Sequence, residues 1–164
     1  MEIDLRDDLT LYFKAPYPSQ TQKHSLKKHC ATLGIGGNVG DVRERFKKLY
    51  NFFQQSSLVD LVECSPILKN PPFGYLDQED FYNAIIIIKT DLSPKKLLKY
   101  ILYVEKRFKR IRTFNNSPRT LDIDMIFYDK ISINSRYLTL PHPHFRERES
   151  VLIPLELMKN QVCR

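Results

Sequence analysis

Apolar residues recur along this 164-residue chain with two different periods. Spacings of four, three and four predict an amphipathic helix whose core face is Val42, Phe46, Leu49 and Phe53. A second helix is predicted to start with Ser93 as cap and Pro94 as its first residue, and its core face is Leu97, Ile101, Val104, Phe108 and Ile111. Runs typical of strands occupy residues 30–35, 58–68, 81–90 and 120–128.

The order of these elements is strand, helix, strand, strand, helix, strand. That order predicts an α+β fold with a ferredoxin-like βαββαβ core, in which an antiparallel sheet has its helices packed on one side. Additional C-terminal elements are expected as a small hairpin over residues 131–140 and a short element over residues 150–158. We predict a single domain over residues 30–164.

Residues 1–29 have a different character, because residues 14–29 are polar and show no clear period. We interpret residues 1–29 as a partly ordered N-terminal extension, part linker and part loosely packed. Residues 1–13 are a candidate edge strand.

Composition and charge narrow the classes of function. Hydrophobic residues make up 42% of the chain, but no apolar run approaches the roughly 20 residues of a membrane helix. The acidic N-terminus lacks the apolar region of a secretory signal, so a cytoplasmic protein without a membrane partner is expected. The net charge of +7 predicts an anionic partner, which composition leaves open between a nucleic acid, an acidic lipid and a phosphorylated small molecule.

The clearest chemical pattern is the acidic pair Asp122 and Asp124 in a predicted strand. Residues two apart in a strand point to the same face, so the two carboxylates lie side by side while Leu121, Ile123, Met125 and Phe127 face the core. Adjacent carboxylates repel each other unless a cation lies between them, and Mg²⁺ prefers such oxygen ligands together with phosphate. The alternative for the pair alone is a solvated face of an edge strand.

A basic segment precedes the acidic pair. Arg110, Arg112 and Arg119 flank a polar loop after the second predicted helix. Arginine can bind phosphate oxygens with two donors at once, so a cationic loop beside a carboxylate pair predicts a phosphoryl-transfer site. The alternative is a solvated basic helix end.

Three further segments are candidates for ligand contact. Residues 69–80 form a long connection, which in a small domain is often a binding loop or lid. The glycine-rich turn of residues 34–40 lacks both the Walker A and the dinucleotide spacing. His142 and His144 lie in a cationic loop without an acidic or Cys partner at metal-ligand spacing, so donation to phosphate is favoured over a transition-metal site.

Several motifs then occur together in a fixed order. They are Leu33-Gly34-Ile35-Gly36-Gly37-Asn38-Val39-Gly40-Asp41, Asn70-Pro71-Pro72-Phe73-Gly74, Asp80-Phe81-Tyr82-Asn83-Ala84, Ser117-Pro118-Arg119-Thr120-Leu121-Asp122-Ile123-Asp124 and Leu140-Pro141-His142-Pro143. Over residues 31–158 this pattern closely resembles the hydroxymethyl-dihydropterin pyrophosphokinases of the folate pathway. The resemblance implies a ferredoxin-like enzyme that transfers the terminal pyrophosphoryl unit of ATP to a hydroxymethyl-dihydropterin and releases AMP.

The resemblance also implies roles for individual residues. Asp122 and Asp124 would bind two Mg²⁺ ions that bridge the phosphates of ATP, and Arg110, Arg112 and Arg119 would be the catalytic arginines that hold those phosphates. Further ATP contacts are implied for Glu105, Leu138, Thr139, His142 and Arg148. Pterin contacts are implied for Asn70, Pro72, Phe81 and Asn83. The substrates are then small molecules rather than nucleic acid, and we expect a monomer.

One departure from the family concerns the pterin pocket. The family commonly has a second stacking aromatic two residues after the arginine matched by Arg148, where this chain has Ser150. We expect Phe73 to cover that face of the pterin instead.

Two other classes share the predicted fold. An RNA-binding module would need aromatic residues in an RNP pattern, which the strands lack, and the acidic pair would repel a phosphate backbone. A ligand-sensing regulatory domain would not need an arginine loop beside two carboxylates. The enzyme is therefore the preferred hypothesis.

Overall fold

The computed structural model describes residues 1–108 and 118–160 of the chain. The main sheet contains β1 (Glu2–Arg6), β2 (Leu9–Tyr12), β3 (Ser19–Gln20), β4 (His29–Gly37), β5 (Val59–Cys64), β6 (Ile67–Asn70), β7 (Phe81–Thr90) and β8 (Asp122–Tyr128). A small separate hairpin is formed by β9 (Ile133–Asn134) and β10 (Thr139–Leu140). The helices are α1 (Val42–Gln55), α2 (Pro94–Arg107) and α3 (Glu149–Glu156), and a 3₁₀ turn spans Phe145–Glu147.

The strand order confirms the predicted α+β topology. β4 lies between β7 and β8, and both β5 and β6 pair with the other side of β7, with every pair antiparallel. This is the split βαβ arrangement expected from the order of the elements. The single strand predicted over residues 58–68 is divided into two at Ser65 and Pro66, where the Ser65 hydroxyl accepts a hydrogen bond from Ile85 N at 2.8 Å.

Both long helices start as their sequences predict. The side chain of Asp41 caps α1 by accepting a hydrogen bond from Glu44 N at 3.1 Å. Ser93 caps α2 by accepting from Lys96 N at 3.3 Å, with Pro94 as the first helical residue. Each cap satisfies one of the backbone donors that a helix start leaves without an internal partner.

Two hydrophobic cores lie on opposite faces of the sheet. The core under α1 and α2 contains the predicted apolar stripe of α1 and that of α2 as far as Phe108, together with Ile86 and Ile88 of β7. Ile111, the last predicted residue of the α2 stripe, lies outside the described residues. The core under α3 contains Val151 together with Ile85 and Ile87 of β7. Ile85 and Ile87 alternate along this strand with Ile86 and Ile88, so they point to the opposite face. Thus α1 and α2 share one face as predicted, and α3, one of the additional C-terminal elements, covers the other.

A bulge in β8 changes the predicted orientation of one residue. Leu121, Ile123 and Met125 lie in the core under α1 and α2, as predicted, but Phe127 belongs to the core under α3. The register of β8 on β4 shifts between Met125 and Phe127, so the alternation of faces changes by one residue.

The N-terminal residues are part of the sheet. β1 and β2 form an antiparallel hairpin, and β2 pairs with β6, so the candidate edge strand is present. Within the stretch expected to be loosely packed, Tyr17 is only 1% exposed, and its hydroxyl donates to Phe46 O at 2.9 Å. An isolated aromatic residue between prolines gives no periodic pattern, which is why this core residue was missed.

Among the helices formed by the described residues, none has the length and hydropathy that crossing a bilayer requires.

Candidate active site

A cavity of about 850 Å³ opens on the face of the sheet that α3 partly covers. Its wall contains many of the predicted site residues, namely Asn70, Pro72, Phe73, Phe81, Asn83, Arg119, Asp122, Asp124 and Arg148. These residues come from β6, β7, β8, the loops beside them and the start of α3. Residues distant in sequence therefore meet in one cleft large enough for substrates of small-molecule size.

Glycines of β4 form the floor of this cavity. Gly36 lies opposite Asn83 of β7 on one side and opposite Asp122 of β8 on the other. Neighbouring strands are about 4.8 Å apart, so the backbones of Asn83 and Asp122 are separated by roughly 10 Å across the glycine. A Cβ atom at Gly36 would lie 2.6 Å from the Asn83 side-chain oxygen, so any other residue here would require the Asn83 amide to move.

The two carboxylates lie on this face, each beside an arginine. Arg119 Nη1 donates to Asp122 Oδ2 at 3.1 Å, and Arg148 Nη1 lies 3.9 Å from Asp124 Oδ2. Arg119 Nε is buried and has no hydrogen-bond partner within residues 1–108 and 118–160. A buried guanidinium donor without a partner is costly, because folding removes it from water without a replacement hydrogen bond.

The carboxylates fit Mg²⁺ that is shared with a phosphate ligand. The described part of the chain contains no cluster of three or more His, Cys, Asp or Glu side chains that would form a cage made of protein alone. Mg²⁺ is usually bound by one or two carboxylates, with water and substrate phosphates completing its coordination. A carboxylate pair in an open cavity beside two arginines matches that requirement.

Asn38 connects the three loops around this end of the cavity. Its Oδ1 accepts from Arg119 N at 2.8 Å, and its Nδ2 donates to Glu79 O and Gln78 Oε1, both at 2.9 Å. The backbone N–H of Asn38 also donates to Arg119 O at 2.9 Å. This buried side chain was not among the predicted site residues, because its partners are distant in sequence and only the fold brings them together.

The other end of the cavity is formed by predicted pterin contacts. Asn83 Nδ2 donates to Asn70 Oδ1 at 2.6 Å, so the two amides form a polar pair. Phe81 is partly buried, whereas Phe73 is 81% exposed, and Phe73 and Ser150 both line the cavity. An aromatic side chain that exposed can turn over a flat ligand without breaking a packed core.

Some predicted nucleotide contacts lie away from the cavity wall that the described residues form. Leu138 and Thr139 are in the segment of the small β9–β10 hairpin. Glu105 is buried in α2, and its Oε2 accepts from Ile123 N at 2.8 Å, which anchors the backbone between the two aspartates. Arg110 and Arg112 lie outside the described residues.

His142 is beside the wall and its tautomer follows from its contacts. Its Nδ1 is 3.2 Å from His144 N, which donates to it, so in the neutral ring Nε2 carries the proton. Burial lowers the pKa of His142 below its ordinary value of 6.5, and Arg148 and His144 lower it further. The neutral ring can therefore donate through Nε2.

The cavity wall also includes residues that sequence reasoning missed. They are Arg6 and Leu9 from the N-terminal hairpin and Glu147 and Glu149 from the segment that leads into α3. His144, which the sequence analysis named as a candidate phosphate donor, also lines the wall. The sequence carries no local indication that residues 1–12 reach the site.

Comparison with known proteins identifies one family. The model of the 7,8-dihydro-6-hydroxymethylpterin-pyrophosphokinase family matches residues 32–160. That range contains the carboxylate pair, the glycine floor and α3.

Curated relatives match over most of their own length. A 2-amino-4-hydroxy-6-hydroxymethyldihydropteridine pyrophosphokinase of Helicobacter pylori is 40% identical over 94% of this chain and 94% of its own. The protein of the same name in Campylobacter jejuni is 36% identical over 87% of this chain and 90% of its own length. The one in Bacillus subtilis is 33% identical over 80% of this chain and 79% of its own length.

The Asn38 contacts lead to a prediction about stability. Replacing Asn38 with Ala removes its part-buried hydrogen bonds to backbone groups of Arg119 and Glu79, so the free energy of unfolding should fall by about 2 kcal/mol. Urea denaturation measures this change. Asn51→Ala, on the exposed side of α1, is the matched control and should stay within about 0.5 kcal/mol of the unsubstituted protein. Equal stability of the two variants would show that Asn38 does not hold the loops.

Proposed function

Because the chain belongs to the 7,8-dihydro-6-hydroxymethylpterin-pyrophosphokinase family, we propose that this cavity is its active site. The reaction transfers the terminal pyrophosphoryl group of ATP to the hydroxymethyl group of 6-hydroxymethyl-7,8-dihydropterin and releases AMP. One observation carries the assignment: Asn83 and Asp122 lie in one row across Gly36, which sets a pterin amide contact and a phosphate site on the same floor.

The phosphate end of the proposed site is formed by the carboxylates and arginines. Asp122 and Asp124 would hold two Mg²⁺ ions, which would neutralise charge on the phosphates of ATP. Arg119, whose Nη1 donates to Asp122, and Arg148, which lies beside Asp124, supply positive charge to the transferred group. Donors that are fixed before the reaction stabilise charge that develops in the transition state.

Further nucleotide contacts complete this part of the proposal. His142 donates through Nε2 to phosphate, and Arg110 and Arg112 hold the same phosphates from the loop that precedes Arg119. Leu138 and Thr139 meet the adenine, and Glu105 contributes both to the nucleotide site and to the anchoring of β8.

The pterin end of the proposed site is formed by β6, β7 and the loop between them. Asn83 pairs with the donors and acceptors along the pterin edge, together with backbone groups of Asn70 and Pro72. Phe81 stacks on one face of the ring, and Phe73 closes over the other face, where Ser150 supplies no aromatic ring.

Positioning accounts for most of the catalysis in this proposal. The substrate hydroxyl oxygen attacks the β-phosphorus of ATP, the bond from that phosphorus to the oxygen of the α-phosphate breaks, and AMP leaves with the electron pair. The hydroxyl proton passes to solvent or to a phosphate oxygen. Phosphoryl transfer depends more on alignment and charge neutralisation than on a strong base, so the row of Asn83 and Asp122 supplies what the reaction requires.

We propose that the protein acts as a cytoplasmic monomer on these small molecules and not on a nucleic acid. The carboxylates of β8 line the cavity and would repel a nucleic-acid backbone.

The metal assignment predicts a loss of turnover in the aspartate variants. Asp122→Asn and Asp124→Asn each remove a negative charge from the proposed Mg²⁺ site while keeping the side-chain volume. Pterin-dependent formation of AMP from ATP and Mg²⁺ should fall about a hundredfold or more, with the thermal unfolding midpoint retained.

The matched control is Asp60→Asn on β5, whose carboxylate accepts a hydrogen bond from Ser25 on another part of the surface. It should retain full turnover. Normal turnover in either cavity variant would refute the metal site, and an unsubstituted protein that forms no pterin-dependent AMP would refute the reaction itself.

The proposed closure of Phe73 predicts a specific effect on the pterin. Phe73→Ala removes one stacking face, so the KM for the pterin should rise about fivefold while the KM for ATP stays constant. Phe73→Tyr should behave as the unsubstituted protein. Leu76→Ala is the control, because Leu76 is an exposed apolar residue of the same loop that does not line the cavity. An unchanged pterin KM in Phe73→Ala would end this part of the proposal.

A further inference from the structure

We propose that the N-terminal hairpin is a wall of the active site and that Arg6 is a positioning residue for the pterin end of the cavity. The hairpin consists of β1 and β2, and it precedes the range that the family model matches, which begins at residue 32. The inference rests on the proposed pterin site. It adds a residue that the family's motifs do not contain.

The pairing of β2 places the hairpin beside the proposed pterin contacts. Thr10 of β2 lies opposite Lys69 of β6, and the next residue of β6 is Asn70, the partner of Asn83. Because the strands are antiparallel, Leu9, which precedes Thr10, is the residue of β2 on the side of Asn70. Leu9 is only 2% exposed and lines the cavity. The hairpin therefore holds the strand from which the pterin loop departs.

A small hydrophobic core connects the hairpin to both sides of the cavity. It contains Leu9 and Leu11 of β2 and Leu68 of β6, with Ile153 of α3 packed against them. β6 leads into the pterin loop, and α3 begins at the segment that contains Ser150. β2 therefore packs against β6 and against Ile153 of α3, and so joins the hairpin to the two elements that border the cavity.

An ion pair fixes the turn end of the hairpin, where Arg6 pairs with Leu9, to α3. Arg6 Nη1 donates to Glu149 Oε1 at 3.0 Å, and Nη2 donates to Glu149 Oε2 at 2.7 Å. Two parallel hydrogen bonds between a guanidinium and a carboxylate define an orientation as well as a distance. Arg6 Nε donates to Asp8 Oδ1 at 2.7 Å, which holds the guanidinium within the hairpin.

The partner of Arg6 has functional neighbours on both sides. Glu149 is the first residue of α3, Arg148 before it lies beside Asp124, and Ser150 after it lines the pterin end. Arg6 itself is held by two carboxylates, so it acts through Glu149 and is not assigned a direct substrate contact. Holding Glu149 keeps this segment against the cavity, where the family's usual aromatic residue is replaced by Ser150.

The test is a double-mutant cycle on Arg6→Gln and Glu149→Gln, read as kcat and as separate KM values for the pterin and for ATP. Each single variant should raise the pterin KM about threefold and leave kcat near its original value, because the contact is exposed and orders the site without touching the reacting atoms. The double variant should show the same rise as either single variant. Arg6→Lys, which keeps the charge but loses the fork, should lie between the unsubstituted protein and Arg6→Gln.

Asp4→Asn is the matched control. It removes a carboxylate from the same hairpin, where Asp4 accepts a hydrogen bond from Thr10 at 2.8 Å, without touching α3. Its pterin KM should be unchanged.

Two results would overturn the inference while pterin-dependent AMP formation persists. One is a pterin KM unchanged in Arg6→Gln, and the other is a double variant whose effect is the product of the two single effects. If the unsubstituted protein forms no pterin-dependent AMP, the proposed function fails and this inference fails with it.

Discussion

The site depends on the register of three antiparallel strands with glycine in the middle one. β4 lies between β7 and β8, and its Gly36 lies opposite Asn83 on one side and opposite Asp122 on the other. Any larger side chain at this position would collide with the Asn83 amide. The strand spacing therefore places the two ends of the proposed site about 10 Å apart, with an open floor between them.

The elements around this floor keep that spacing by polar contacts at their ends. Asn38 joins the glycine-rich turn to the loop before β8 and to the loop before β7. Arg45 Nη1 also donates to Val39 O of the glycine-rich turn at 2.6 Å and to Thr120 O of the loop before β8 at 2.9 Å. The carboxylate of Glu105 holds β8 from the opposite face. Because the protein makes these contacts within itself, they orient donors and acceptors of the site for its substrates.

The predictions from sequence were strongest where a short periodic pattern decides the structure. The stripe that begins at Val42 predicted α1, Ser93 and Pro94 predicted the start of α2, and the spacing of Asp122 and Asp124 placed both carboxylates on one face. The prediction that Phe127 faces the same core as Met125 was wrong, because a bulge in β8 reverses the alternation of faces beyond it. No local residue type indicates the position of this bulge.

Contacts between distant segments were beyond the sequence. Tyr17 is in the core although its neighbours are polar or proline, and Asn38 has its partners about 40 and 81 residues away. Arg6 and Glu149 are 143 residues apart, and only the pairing of β2 with β6 brings them to one wall. The glycine-rich turn by itself was a weak indication of a ligand site. Gly36 matters because β4 lies between β7 and β8, which places this glycine between Asn83 and Asp122.

The central claim is that the floor at Gly36 must be bare for the pterin to pair with Asn83. The most direct measurement is the affinity of Gly36→Ala for hydroxymethyl-dihydropterin, by calorimetric titration in the presence of Mg²⁺ and a non-hydrolysable ATP analogue. The added methyl group displaces the Asn83 oxygen, so pterin affinity should fall about tenfold or more, while the same titration shows nucleotide binding close to that of the unsubstituted protein. Pterin affinity unchanged in a folded Gly36→Ala protein would contradict the account.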